Sequence, residues 1–488
     1  MKKVKIQNVI LPGRDPRSRW DVDFEMNTIK CIRPAAAAMR SSISDPSPLL
    51  LPPLCHPHIH LDKAYLLTCN SQHHPSQALS DVDGTKQPEY TDLTPQDGSF
   101  GEALEFTSLA KRRYTSEDLY LRGAQLLATS LAQGVTSCRA FVELDHVTSL
   151  SCIEAGLRLK DCFQGKMKLQ LCAFAQDPIF STDHSEKNRQ VLLRALEECA
   201  DDIEVLGTTP YVEKSAEASL QNIEWAIETA INHSLHLDFH LDYNLDETKR
   251  PAVWDVIRLL KELNWNKRAK PGKTIVLGHC TRLTLCSDAE MEELGKEITE
   301  SKLSIHFVGL PTSDLFMMGR PSAASSGQQS KSADRPRGTL QVLDMIKRFG
   351  INSCLSVNNV GNAFTPWGTG DPLALASLGV GIYQAGTDDD ANMLFECVSS
   401  RARKAIGLNT ASTLDNDPSV SVQDQQDSHD STELKEGRRG ELLLIKNKEY
   451  VSCPGHLGVK ISARQQVSVR DVVWDPPQVS LRQVLRCR

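Results

Sequence analysis

The stretch Leu54-Cys55-His56-Pro57-His58-Ile59-His60-Leu61-Asp62 decides the reading of this chain. It follows an apolar run, Leu49 to Leu54, that is broken by a proline pair and reads as a short buried strand. In an extended strand, residues i and i+2 point to the same side. His58 and His60 can therefore face one point in space, as two imidazole ligands of one metal ion must. His56 shares the alternation, so spacing alone leaves open which two of the three bind.

Working outward, strand-like and helix-like stretches alternate. Predicted strands are Val135 to Leu144, Lys168 to Gln176, Ile203 to Thr208, Leu235 to His240, Thr274 to His279, Leu303 to Leu310 and Asn352 to Asn358. Between them lie helical patterns, the first opened by Thr115-Ser116-Glu117-Asp118 and stopped near Gly134. With the strand before His58 this makes eight strands, and the alternation predicts an α/β fold, a parallel (β/α)8 barrel. Short strands near both chain ends (around Val4 to Ile10, Trp20 to Phe24, Ile29 to Ile32, Gly440 to Ile445 and Val467 to Trp474) predict a small β-sandwich domain built from both ends. The expected organisation is residues 1–53 and 438–488 in the small β domain, 54–412 in the barrel, and an acidic low-complexity insertion at 413–437. Two further polar stretches, Asn70 to Ser99 and Gly319 to Arg337, read as long loops.

Composition narrows the function. The net charge is -7 and the apolar fraction 40%, which argues against nucleic acid or an anionic membrane as the main partner. No run is apolar enough to span a bilayer, and the start resembles no signal peptide. The 14 cysteines are scattered without CxxC spacing, so a reducing, cytoplasmic compartment is expected. A small-molecule substrate is the expected partner, and self-association into a homo-oligomer is compatible with such a barrel.

Barrels of this kind place functional residues at the C-terminal ends of their strands. There the sequence puts His58 and His60, Gln176, His240 and Asp242, His279, Asp314, and Asn358 with Asn359. Neutral imidazoles suit Zn²⁺ or Fe²⁺. A metal with three protein ligands keeps one position for water and lowers its pKa. His279 can polarise an electrophile, and Gln176 offers a donor and an acceptor to an amide-like edge.

In these residues the chain resembles the amidohydrolase superfamily, and within it the cytosine deaminase-like branch. The resemblance runs through PHIHLDKA, GVTSCRAFVELD, FAQDP, DFHLD and LGHCTR, and covers most of the chain. It implies one divalent ion, zinc or iron, held by His58, His60 and His240, with His279 beside the activated water and Gln176 reading the substrate. Two positions depart from the pattern. The family's acidic Glu is Tyr243 here, and its metal-binding Asp is Asn358. An amide cannot take up a proton as a carboxylate does. The implied function is metal-dependent hydrolysis of a non-peptide C–N bond in a cyclic amide, amidine or aminated heterocycle, with Asp242, Asp246 or Asp314 as displaced acid-base groups. The alternatives are a metal kept for another role, and a degenerate barrel that binds a ligand or partner without hydrolysis.

Overall fold

The computed structural model describes residues 3–35, 46–73, 88–319, 338–408, 432–451 and 461–487. Residues 320–337 of the expected loop Gly319 to Arg337, most of the acidic insertion and part of the segment after Asn70 lie outside them.

Eight strands form one parallel sheet in sequence order: β5 (Leu54–His60), β6 (Val135–Glu143), β7 (Lys168–Ala175), β8 (Ile203–Thr208), β9 (His236–Leu241), β10 (Ile275–His279), β11 (Ile305–Gly309) and β12 (Ser353–Leu355). β12 returns to β5 through a parallel bridge between Ile59 and Asn358. The His60 N–H donates to Asn358 O at 2.9 Å and the Asn358 N–H to His58 O at 3.2 Å. The barrel is thereby closed through the backbones of the two histidines themselves, on either side of Ile59. The predicted eighth strand is shorter, Ser353–Leu355, and the extended chain beyond it ends at the bridging residue Asn358, which lies in the left-handed region at φ 64°.

Helices cover the outside. Ser116–Gln133 starts at the cap Thr115, whose side chain accepts the Asp118 N–H, and stops at Gly134 with φ 105°, a conformation glycine adopts without Cβ strain. One helix, Phe100–Lys111, rises from the end of the segment expected to be loop, with Ser99 as its cap.

The two chain ends share an apolar core. Sheet β1 (Lys3–Val9), β2 (Trp20–Glu25), β3 (Thr28–Pro34) is antiparallel. A second sheet joins β4 (Leu49–Leu51), β13 (Leu442–Ile445) and the strand Arg482–Leu485. Val9, Val22, Phe24, Ile29, Leu50, Leu442 and Cys487 pack in one cluster between them.

Two expectations are corrected. The apolar run before the histidines is two strands: Leu49–Leu51 belongs to the small sheet, and the barrel strand is Leu54–His60 itself. Pro52 and Pro53, without N–H groups, separate the ladders. The stretch Val467 to Trp474 is not a strand but contains the helix Val469–Trp474, opened by a capping box between Ser468 and Asp471. Val469, Val472 and Val473, one helix face, are its buried residues, so capping and i, i+3, i+4 packing outweigh the β preference of valine.

Candidate metal centre

His58 and His60 sit on β5 and His240 on β9, all buried. The Nε2 atoms of His58 and His60 each lie 3.1 Å from His240 Nε2. A neutral imidazole carries one proton, so three converging ring nitrogens cannot all be satisfied by one another. Their Nδ1 atoms are also buried without a partner. Tetrahedral Zn–N bonds of 2.0–2.1 Å would place ligand nitrogens about 3.3–3.4 Å apart. The cluster fits one divalent ion closely, and among the described residues it is the one group of three or more such side chains with metal-binding geometry. Burial pushes all three imidazoles well below the usual histidine value, with neighbouring cationic groups adding to the shift. They are neutral and available as ligands at neutral pH.

The strand between them explains a glycine. A Cβ on Gly278 would stand 2.9 Å from His58 Cε1. Below the cluster, Arg139 donates to Asp238 Oδ2 at 2.8 Å, and Asp238 Oδ1 is 3.9 Å from His58 Nδ1. Such a carboxylate behind a ligand histidine can set its ring orientation.

His279 ends β10. Its Nδ1 lies 2.9 Å from Asp314 Oδ1. Asp314 Oδ2 accepts the Thr339 hydroxyl at 2.8 Å and the Leu310 N–H at 3.3 Å. Asp314 stands at the helix Pro311–Met317 just after β11. Burial raises its pKa, and the bond to His279 opposes that shift. The His279 ring centre is 5.3 Å from that of His240 and 3.9 Å from that of Tyr243. Tyr243 is buried with its hydroxyl unpartnered.

Asn358 Nδ2 donates to Ser313 Oγ at 3.0 Å, which leaves Oδ1 buried and unpartnered. The Asn358 amide lies near enough to act on the titration of both His58 and His60, so it faces the cluster. Asn359 is held in the same loop, its Oδ1 accepting from Asn362 Nδ2 at 2.8 Å. Gln176, just past β7, accepts from Lys63 Nζ at 3.2 Å. Lysine only donates, so the Gln176 amide oxygen faces Lys63, and Gln176 also lies near enough to Tyr211 to act on the titration of its hydroxyl.

Asp242, expected among the acid-base groups, is turned away. With φ 50°, its two carboxylate oxygens accept the N–H groups of Ala252 at 2.7 Å and Val253 at 3.1 Å, capping the start of Val253–Glu262. Asp246 Oδ1 accepts from the Thr248 hydroxyl and N–H.

Sequence reasoning missed the buried cations. Lys63 Nζ donates to Glu143 Oε1 at 2.9 Å. Lys111 Nζ lies 3.1 Å from Glu143, 2.7 Å from Asp145 and 3.1 Å from Asp177. A lysine three residues after His60, followed by the largely apolar run Ala64 to Leu67, was the available signal for Lys63.

No family model matches the chain, and no curated protein matches it by sequence. Solved structures do. A 5-methylcytosine deaminase from Klebsiella pneumoniae, liganded with phosphonocytosine, superposes with a TM-score of 0.70 at 20% identity, covering 96% of this chain and 94% of that one. An N-isopropylammelide isopropylaminohydrolase from Burkholderia multivorans gives 0.65 at 18% identity over 100% and 97%. An adenosine deaminase from Xanthomonas campestris with bound zinc gives 0.56 at 13% over 98% and 90%. The chain therefore shares the fold of these deaminases and this aminohydrolase, and is itself a (β/α)8 barrel with small antiparallel sheets beside it and a buried histidine triad at the strand ends.

Proposed function

We propose that the protein is a metal-dependent hydrolase of a non-peptide C–N bond in a small cyclic amide, amidine or aminated heterocycle. The observation that carries this reading is the convergence of three buried Nε2 atoms within 3.1 Å steps beside a histidine whose other nitrogen is held by a carboxylate. Water adds to the carbon, the C–N bond breaks, and the nitrogen leaves as ammonia or an amine.

His58, His60 and His240 would hold one divalent ion, zinc or iron, which supplies Lewis acidity and an acidified water when bound. The remaining work falls to side chains. Asp314 fixes the His279 tautomer with the proton on Nδ1, which leaves Nε2 as the basic nitrogen. His279 takes the proton released on water attack and returns it to the leaving nitrogen. Asn358 orients and cannot relay, since an amide does not take up protons. Gln176 reads the substrate edge, and Asn359 shapes the loop opposite. Asp242 and Asp246 have no part, since Asp242 caps a helix and Asp246 bonds Thr248.

The test is metal content by plasma mass spectrometry together with product release from a panel of aminopyrimidines, cyclic amides and cyclic ureas. One equivalent of zinc or iron with turnover that His279→Ala abolishes supports the reading. A fully metallated protein that is stabilised by a panel compound yet releases no product sinks it. That outcome favours the alternative, a barrel that binds without hydrolysis, for which Tyr243 against His279 and the amide at 358 are the motivating observations.

A further inference from the structure

The opposite face of the barrel carries a second feature. A cavity of about 300 Å³ opens near the N-terminal ends of β10 and β11. Four lysines line it, Lys270, Lys273, Lys302 and Lys404, with Ser304 and the buried His306, and no carboxylate is among its walls. The whole chain has a net charge of -7, so this concentration of positive charge runs against the average of the molecule. Among the described residues, Lys270, Lys273 and Lys302 make no ion pair. We propose that this cleft binds a compact phosphate-bearing anion, at a site separate from the histidine cluster.

Three arguments point to that ligand. A cleft lined by one sign of charge with low-dielectric walls focuses the field into it and concentrates counter-ions there. The three ammonium groups without an ion pair, Lys270, Lys273 and Lys302, match an anion of charge two or more, where a single carboxylate would neutralise one of them. Lysine serves phosphate as a point charge, and the Ser304 hydroxyl, 3.3 Å from His306 Nε2, adds a hydrogen-bonding group. Burial holds the Lys273 ammonium below the usual lysine value, and the neighbouring Lys270 adds to this. Glu204 opposes that shift only in part. The volume lies at the lower end of the range for small-molecule sites. The concavity favours a small anion over the extended backbone of a nucleic acid.

The site is distinct from the metal centre. Lys273 precedes β10, and His279 closes it. The strand alone spans about 13 Å at ~3.3 Å per residue. In barrels of this type chemistry belongs to the C-terminal face, so the N-terminal cleft suits a regulatory or anchoring anion.

The experiment is calorimetric titration of the full-length protein with inorganic pyrophosphate at low ionic strength. Parallel arms use inorganic phosphate and phenyl phosphate, to separate a free inorganic anion from an organic phosphomonoester. The expected result is saturable binding of one equivalent, weakening as salt is raised. In Lys270→Gln, Lys273→Gln, Lys302→Gln it should weaken by at least about tenfold, since the variant removes three of the four positive charges that line the cleft. It should persist in His58→Ala, His60→Ala. Absence of saturable binding overturns the proposal. So does binding that survives the triple lysine variant with its thermal transition intact, or binding that disappears with the histidines, which would put the anion at the metal centre.

Discussion

His279 Nδ1 and Asp314 Oδ1 are 2.9 Å apart, and every other acceptor site Asp314 uses is taken by Thr339 and Leu310. Asp314 thus acts on chemistry only through the imidazole. Asp314→Asn keeps the shape but can present the wrong tautomer of His279. It should lower kcat by at least tenfold, within the ~10²–10⁴-fold typical of a positioned proton-transfer group, with metal content unchanged. Steady-state kinetics beside plasma mass spectrometry checks this, and an unaltered rate rules out the positioning role.

Gly278 leaves the room that His58 fills. A Cβ there would meet His58 Cε1 at 2.9 Å, with its Nδ1 at 3.1 Å and the Phe239 backbone oxygen at 3.7 Å behind. Gly278→Ala must therefore rotate or displace the ring. Because ligand orientation sets affinity, zinc affinity should fall by roughly 10–100-fold, the cost typical of disturbing a ligand's support. Competition with a chromophoric chelator measures it, and unchanged affinity would place the ring elsewhere.

An ion bound by the folded triad, and absent from the unfolded chain, must raise the melting temperature. At a free zinc concentration a thousandfold above Kd the stabilisation is about 4 kcal/mol. Chelator treatment followed by zinc titration in a thermal scan should show this rise in the wild type and lose it in His240→Ala. A wild type indifferent to zinc and to iron removes the metal centre.

Much of this was legible in the sequence, for physical reasons. Parallel barrel strands are buried on both faces, so Val135–Glu143 and Lys168–Ala175 stand out as apolar runs between helical patterns. The histidine pair was legible because strand period two fixes its direction. Other features depend on contacts that no local pattern encodes. Asp242 looks catalytic beside His240, and only the fold shows the helix start that takes both its oxygens. Val469–Trp474 is rich in β-branched residues, yet its capping box and packing face make it a helix. The partnership of Lys111 with Glu143, Asp145 and Asp177 joins residues from three elements, which a single sequence cannot bring together.

Two buried histidines away from the metal centre set an acid limit on stability. Burial lowers His236 to about 2 and His306 to about 3, against a usual value near 6.5. Between those values the unfolded chain holds a proton on each that the folded chain does not. Stability therefore rises with pH, is complete above about 6.5, and is lost as pH falls below it. Each histidine contributes a slope of roughly 1.4 kcal/mol per pH unit in that window. Urea unfolding at several pH values should show a shallower acid dependence in His236→Asn, His306→Asn than in the wild type. Parallel slopes would mean that these rings protonate in the fold.

Lys111 is the cation on which three carboxylates depend. Its side chain is 2% exposed, and Glu143 and Asp145 beside it are 1% and 3% exposed. Burial alone would lower its pKa, but Glu143, Asp177 and Asp145 together raise it well above the usual lysine value, so it stays charged throughout the stable pH range. Lys111→Met keeps the stem and deletes the charge. It leaves Asp145 with only the Thr148 hydroxyl and the Val147 and Thr148 N–H groups, and Glu143 with Lys63 alone. Removing one partner from a buried charge network typically costs about 3–5 kcal/mol. Chemical denaturation should show a loss of that size, together with a higher pKa for Asp145, which the network now holds at about 2. The same network touches Gln176 through Lys63, so the variant should also raise KM more than it lowers kcat. A loss of less than about 1 kcal/mol would show that water reaches these carboxylates and that the network is solvated.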